Sequence, residues 1–274
     1  MSSALLALVL AGAGSVQWLG PKPPAVVTRV VTLAPSLTET VVALGAAEVL
    51  VGVSRFDELP EVKALPRVGG FSDVSVEAVL AARPQVLLVQ KSPGNQKPVE
   101  TLASLGVTVL ALPLTTVDDV AQAMREVAAV LHREKEGRAL LDALAQARAD
   151  MRAAAAKRGS KPRVLFAYGF APLVVAGPGS FAHELLEDCG AVNVAERAPT
   201  AYPTYSLERV VALTPELMVD AADTADGRDA LKALPGLGKM RWLTLPSKDL
   251  LHPGPSLARG LRELCAMIAT PASP

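Results

Sequence analysis

Two glutamates stand out because the residues around them repeat. Glu77 sits in VSVEAVLAARPQVLLV and Glu208 in YSLERVVALTPELMV, 131 positions apart. At that offset Ser75 matches Ser206, Val79 matches Val210, Ala81 matches Ala212 and Pro84 matches Pro215. In each copy the serine two residues before the glutamate is suited to cap a short helix, and the proline stops that helix. A carboxylate in the first turn complements the helix dipole by ~0.3–1 kcal/mol, which is reason enough for a duplicated unit to keep both. As a matched pair they gain a further use only toward a partner that touches both copies.

The remaining chemistry-bearing residues do not converge on catalysis. There is no G-x-S-x-G, C-x-x-C, H-E-x-x-H or P-loop pattern, and His132, His183 and His252 are widely scattered. No catalytic set and no metal-ligating set is expected. The loops after strands are richer: Phe56 beside Arg55, Phe71, Gln90 with Lys91, Tyr168 to Phe170, Tyr202, and the run Lys248 to His252. Open α/β sheets place ligands at such strand ends, and aromatics there can wall a large, flat or amphipathic molecule. The candidate contacts are therefore Phe56, Phe71, Gln90, Lys91, Tyr168, Phe170, Tyr202, Asp249 and His252. For any one of the aromatics, packing beneath its loop is an equally good account.

The elements that position these residues follow from short β-rich runs alternating with helical ones. RVVTLA, VLVGVS, QVLLVQ and VTVLALP read as strands of a first lobe over 25–116. Between the first two, Ser36 and Glu39 fit a capping box and Gly45 fits a helix C-terminus. From 117 to 161 the chain is Ala-, Leu-, Glu- and Arg-rich, reading as one helix to Leu131 and a longer one from about Arg133 to Ala156. The longer helix would span roughly 35 Å, enough to bridge two lobes. The strand–helix rhythm restarts at PRVLFAYG and continues through 162–274. The expected architecture is α/β, two pseudo-duplicate lobes with mainly parallel sheets bridged by a long α-helix.

Composition narrows the function classes. The 274 residues are 50% hydrophobic, with 27 basic against 27 acidic side chains, so no cationic footprint for nucleic acid is present. Residues 1–24 read as a leader and lead-in: the apolar run from Ala4 to Ala13 has the length of a signal h-region, with Ala11-Gly12-Ala13 as a small-residue cleavage site. Cys189 and Cys265 are the only cysteines. In an exported protein such a pair can form a disulfide, although two buried thiols fit the spacing equally.

Taken together in order, RVVTLAPSLTETVVALG, VGVSRFDELP, RVGGFSDVSVEAVLAARPQVLLV, ETLASLGVTVL, ELLEDCGAVNV and SLERVVALTPELMV resemble the periplasmic substrate-binding proteins of ABC importers. The similarity is to the class whose lobes are bridged by one long helix, and within it to cobalamin binders, with ferric-siderophore and haem binders as neighbours. This resemblance implies a monomeric, non-enzymatic carrier, exported by its signal peptide, that holds a cobalt corrinoid or iron chelate between its lobes. It implies that Glu77 and Glu208 dock onto arginines of a two-fold permease dimer, and that Cys189 pairs with Cys265. Where cobalamin binders place tryptophans, this chain has Phe71, Gln90 and Tyr202, and a haem binder would ask Tyr202 or His252 to ligate iron. A chelatase-like α/β enzyme acting on a tetrapyrrole is the alternative from another class.

Overall fold

The computed structural model describes residues 15–222, 226–235, 237 and 240–270. The apolar leader expected over residues 4–13 lies outside them. The chain divides into two units, one made of residues up to Thr38 plus Ala47–Pro113, the other of Glu39–Ala46 plus Leu114 onward. The division falls inside helix α1 (Pro35–Ala43).

In the first unit the strands are β1 (Gln17–Leu19), β2 (Val30–Thr32), β3 (Leu50–Gly52), β4 (Val86–Gln90) and β5 (Val109–Leu112). They form one sheet in the order β1-β5-β4-β2-β3. All neighbours are parallel except β1, which runs antiparallel along β5. This edge strand, inside a segment read only as a lead-in, is too short to carry a period-2 signal. Helices α2 (Val76–Ala82) and α3 (Gln96–Ser104) are its crossovers. Val31, Leu87, Val89 and Val109 face Val79 and Leu102 in one dry core. Complete burial of such side chains stabilises by ~1.5–3 kcal/mol each, before chain entropy is set against it.

The second unit repeats the plan with more helix. Strands β6 (Arg163–Phe170), β7 (Leu173–Val175), β8 (Val192–Asn193), β9 (Leu217–Asp220) and β10 (Arg241–Thr244) form a sheet ordered β10-β9-β6-β7, with β8 also on β6. Only β7 is antiparallel to its neighbour. Around it lie α4 (Val117–Val130), α5 (Glu134–Ala156), α6 (Phe181–Asp188), α7 (Leu207–Leu213), α8 (Arg228–Lys232) and α9 (Leu257–Ala269). The mixed α/β class with two mainly parallel five-stranded sheets is as the sequence predicts.

Long helix α5 packs on α4, α6 and α9. At its first contact only glycine fits, since a methyl on Gly137 would lie 2.6 Å from the Ala128 Cβ of α4. Asp188, buried at the end of α6, accepts from both Arg148 and Arg152 of α5. Burial opposes the Arg148 charge, but the Asp188 and Glu184 carboxylates outweigh it and raise its pKa. Glu184 also accepts from the Val117 amide at 3.0 Å, beside the capping box that Thr116 and Asp119 form at the start of α4. The next residue along, Cys189, is joined to Cys265 of α9 (Cα–Cα 4.9 Å).

The capping box read at Ser36 and Glu39 does not form. Helix α1 already begins at Pro35, with the Leu37 and Thr38 amides donating to Ala34 O. Glu39 instead accepts from the Ser256 hydroxyl (2.9 Å).

Candidate functional site

The repeated sequence is a repeated structure. Helices α2 and α7 are both seven residues long. Ser75 Oγ accepts from the Ala78 amide at 3.2 Å, and Ser206 Oγ from the Arg209 amide at 3.3 Å. Each helix ends on a left-handed residue, Arg83 (φ 48°) or Thr214 (φ 44°), because the following proline disfavours another right-handed turn. Side chains with a Cβ occupy that region at a cost of ~1–2 kcal/mol. The cost is offset from a strand end. Arg29 donates to Ala82 O (2.6 Å) and Arg83 O (2.9 Å), while Arg163 donates to Leu213 O (2.6 Å) and Thr214 O (3.5 Å). A guanidinium there also meets the negative end of the helix dipole.

Gln85 and Glu216, each just after the proline, accept backbone amides of the same strand entry. Glu77 and Glu208 therefore ride on two identically capped and clamped helices, both exposed. Hydrogen bonds from its own amide and then Ser206 hold Glu208 below the usual carboxylate range.

In the first unit Phe56 and Phe71 come together with ring centroids 6.3 Å apart. Both are unusually exposed for phenylalanine, at 42% and 41%. Neither ring is loosely held. The Arg55 guanidinium lies 4.7 Å over the Phe56 ring and pairs with Asp73 on the loop that carries Phe71. Gly70 lets the ring approach, since a methyl there would lie 2.5 Å from Phe56 Cε2. Gln90 ends β4 and Lys91 follows it; Lys91 Nζ donates to Ser15 O at 3.1 Å and the Asn95 side-chain Nδ2 donates to Gln90 O at 2.8 Å. With Leu19, Val99 and Ala111, Lys91 lines a cavity of about 370 Å³.

In the second unit Tyr168 and Tyr202 meet edge to face, centroids 5.5 Å apart. The loop bearing Tyr202 is held like an added strand, with the Val175 and Gly177 amides donating to Pro203 O and Ala201 O. Tyr202 itself is 41% exposed, yet burial of its phenol group, helped by the Asp119 charge, pushes its pKa up to about 12. Tyr168 lies behind it with its hydroxyl buried and without a hydrogen-bond partner among the described residues. Tyr168 and Phe170, read as loop residues, belong to β6, which runs through Phe170. Phe170 is core, covered by Trp242 and Arg228.

Asp249 is buried with its carboxylate occupied by Arg259, one contact at 2.7 Å, and His252 is half-buried in the same loop. Beside Asp249, burial pushes Glu39 up to about 6, and Asp249 adds to that push.

Two α/β units of common plan, each presenting an aromatic surface beside strand ends, define a binding protein of the duplicated α/β class. Residues 30–241 match the periplasmic binding protein family, and the chain belongs to it. A vitamin B12-binding protein of Pectobacterium atrosepticum is 28% identical over 253 residues, covering 89% of this chain and 90% of that one. A periplasmic heme-binding protein from Pseudomonas aeruginosa matches with a TM-score of 0.78 at 32% identity, over 88% of this chain and 92% of that one. The periplasmic vitamin B12 binding protein of Vibrio cholerae shares the fold at a TM-score of 0.74 and 22% identity, over 88% and 96%.

The clamp residues Arg29 and Arg163 were not singled out in the sequence. Their signal is there, since both copies open their leading strand with Arg-Val.

Proposed function

We propose that this periplasmic binding protein captures cobalamin or a related corrinoid and delivers it to an ABC importer. The observation that carries the reading is the exposed, braced Phe56–Phe71 pair. Two hydrophobic rings kept in water by a close glycine and an ion pair favour a large ligand with apolar faces. The curated relatives named for vitamin B12 support that choice. In this reading Phe56 and Phe71 are contacts of the first unit and Tyr202 of the second, no chemical step occurs, and the leader over residues 4–13 directs export.

Proteins of this family serve ABC transporters. The finer proposal is that Glu77 and Glu208 dock on a two-fold permease. Their support is the matched geometry of α2 and α7, which presents each carboxylate at the same helical position.

A second reading, haem, is favoured by the 32% identity to the Pseudomonas protein and by Tyr202, a partly exposed tyrosine that could ligate iron. A phenol titrating near 12 is protonated at neutral pH, so iron would have to displace its proton. Calorimetry with cyanocobalamin, cobinamide, haemin and ferric siderophores in parallel decides the matter. Tight binding of a corrinoid alone is the expected result, and tight binding of haemin alone replaces it with the second reading.

A further inference from the structure

Phe56 and Asp57 are neighbours in a tight turn but face opposite ways. The turn is fixed by Ser54, whose carbonyl accepts from the Asp57 amide and whose hydroxyl accepts from the Phe56 amide, both at 3.1 Å. Phe56 projects into solvent, while Asp57 is only 4% exposed. Neither of its carboxylate oxygens has a hydrogen-bond partner of normal geometry among the described residues. An unpartnered buried carboxylate is costly, and natural structures rarely keep one without a use.

The groups around it are few. The neutral groups that face it are the Ser54 backbone and Thr38 Oγ1 on α1, the latter already shared with Thr32 at 2.6 Å and Ala34 O at 3.3 Å. Arg67 is the cation whose charge acts on it, and its guanidinium also reaches Ser54 O at 3.4 Å. On the solvent side the charges are Arg55 and Asp73, which pair with each other. Burial dominates this balance and pushes the Asp57 carboxyl up to about 6.

We infer that Asp57 is a positioning residue for the Phe56–Phe71 platform, and that it takes up a proton when a ligand covers those rings. The inference rests on the platform being the ligand contact. A ligand laid over Phe56 excludes more water from the turn, which disfavours the ionised carboxylate further. The complex then has a higher Asp57 pKa than the free protein, so the protonated form binds more tightly. Affinity falls as pH rises from about 6 through the pKa of the complex and is flat on either side. The two side chains share one peptide unit of the Ser54-held turn, so a backbone movement that hydrates the carboxylate also moves the Phe56 ring.

The test has two arms. In the first, the protein is labelled with 4-fluorophenylalanine, and the five phenylalanine fluorine lines are followed from pH 4.5 to 8 without ligand. The Phe56 and Phe71 lines should shift with a common midpoint near 6 and stay flat in Asp57→Asn. Lines that do not move in the unmutated protein, or that move equally in Asp57→Asn, overturn the inference.

In the second arm, cyanocobalamin affinity is measured at pH 5 and pH 7.5. A ratio of about threefold or more is expected, since a one-unit difference between free and bound pKa gives at most about tenfold. The ratio should vanish in Asp57→Asn and persist in Glu39→Gln, which removes a carboxyl of similar pKa from the other unit. Equal affinities at the two pH values, or a ratio that Asp57→Asn leaves intact, overturn it. If no compound of the ligand panel binds, the functional reading fails by itself, while the fluorine lines still decide the role of Asp57.

Discussion

Replacing Glu39 by Gln should stabilise the second unit at neutral pH and have no effect in acid. The Glu39 carboxyl accepts from Ser256, but burial is the larger influence and lifts it from 4.5 to about 6. A raised folded pKa means that the folded chain holds the proton more tightly than the unfolded chain does. Below pH 4.5 both states are protonated and the group contributes nothing. Stability is then lost as pH rises from 4.5 through 6, levelling at a deficit of ~2 kcal/mol from a shift of this size.

Gln keeps an oxygen for the Ser256 hydroxyl and removes the charge. The expected gain is ~1–2 kcal/mol at pH 7.5 and ~0 at pH 4. Each unit has one of the two tryptophans, Trp18 on β1 and Trp242 on β10. In a Trp18→Phe background, Trp242 fluorescence during urea unfolding follows the second unit alone. The midpoint should rise with an unchanged slope. A lower midpoint for Glu39→Gln at pH 7.5 would falsify the desolvation argument, because the ionised carboxylate would then be a net stabiliser through Ser256 and Arg259.

Three other outcomes are expected. Charge reversal at both Glu77 and Glu208 should abolish uptake of cyanocobalamin in cells while calorimetric affinity stays unchanged; normal uptake by the double variant removes the docking proposal. Cys265→Ser opens a cross-link spanning 76 residues and should lower the stability of the second unit by ~4 kcal/mol in denaturant melts, on the chain-entropy account. Asp188→Asn leaves Arg148, only 17% exposed, without its main counter-charge, and should cost ~3 kcal/mol in the same melts, well beyond what an exposed ion pair is worth.

The frame was legible in the sequence where local chemistry decides the outcome. Ser75, Ser206, Pro84 and Pro215 act within one turn of their own positions, so their pattern carried directly into α2 and α7. Thr116 and Asp119, three residues apart, form their cap by the same local rule. Ser36 and Glu39 satisfied the same pattern and failed, because α1 begins ahead of Ser36 at Pro35 and the Glu39 carboxyl is left to bond a hydroxyl 217 residues away. Phe170 reads as a loop aromatic beyond its strand, but pairing with Leu173 of β7 carries the strand to it. The burial of Asp57 could not be read at all, since the charged and apolar residues of RFDELP follow no period from which to infer its direction.

The clamps that Arg29 and Arg163 place on the ends of α2 and α7 grip main-chain carbonyls, not side chains. What holds each helix is therefore indifferent to what the helix displays. Exposed positions such as 77 and 208 can drift or acquire a new partner at the cost of only the ~0.3–1 kcal/mol that a first-turn carboxylate contributes, leaving the clamps beneath intact. Duplication followed by such drift would let the surface each helix displays be retuned one side at a time, and the two helices should tolerate exchange between units in a chimera.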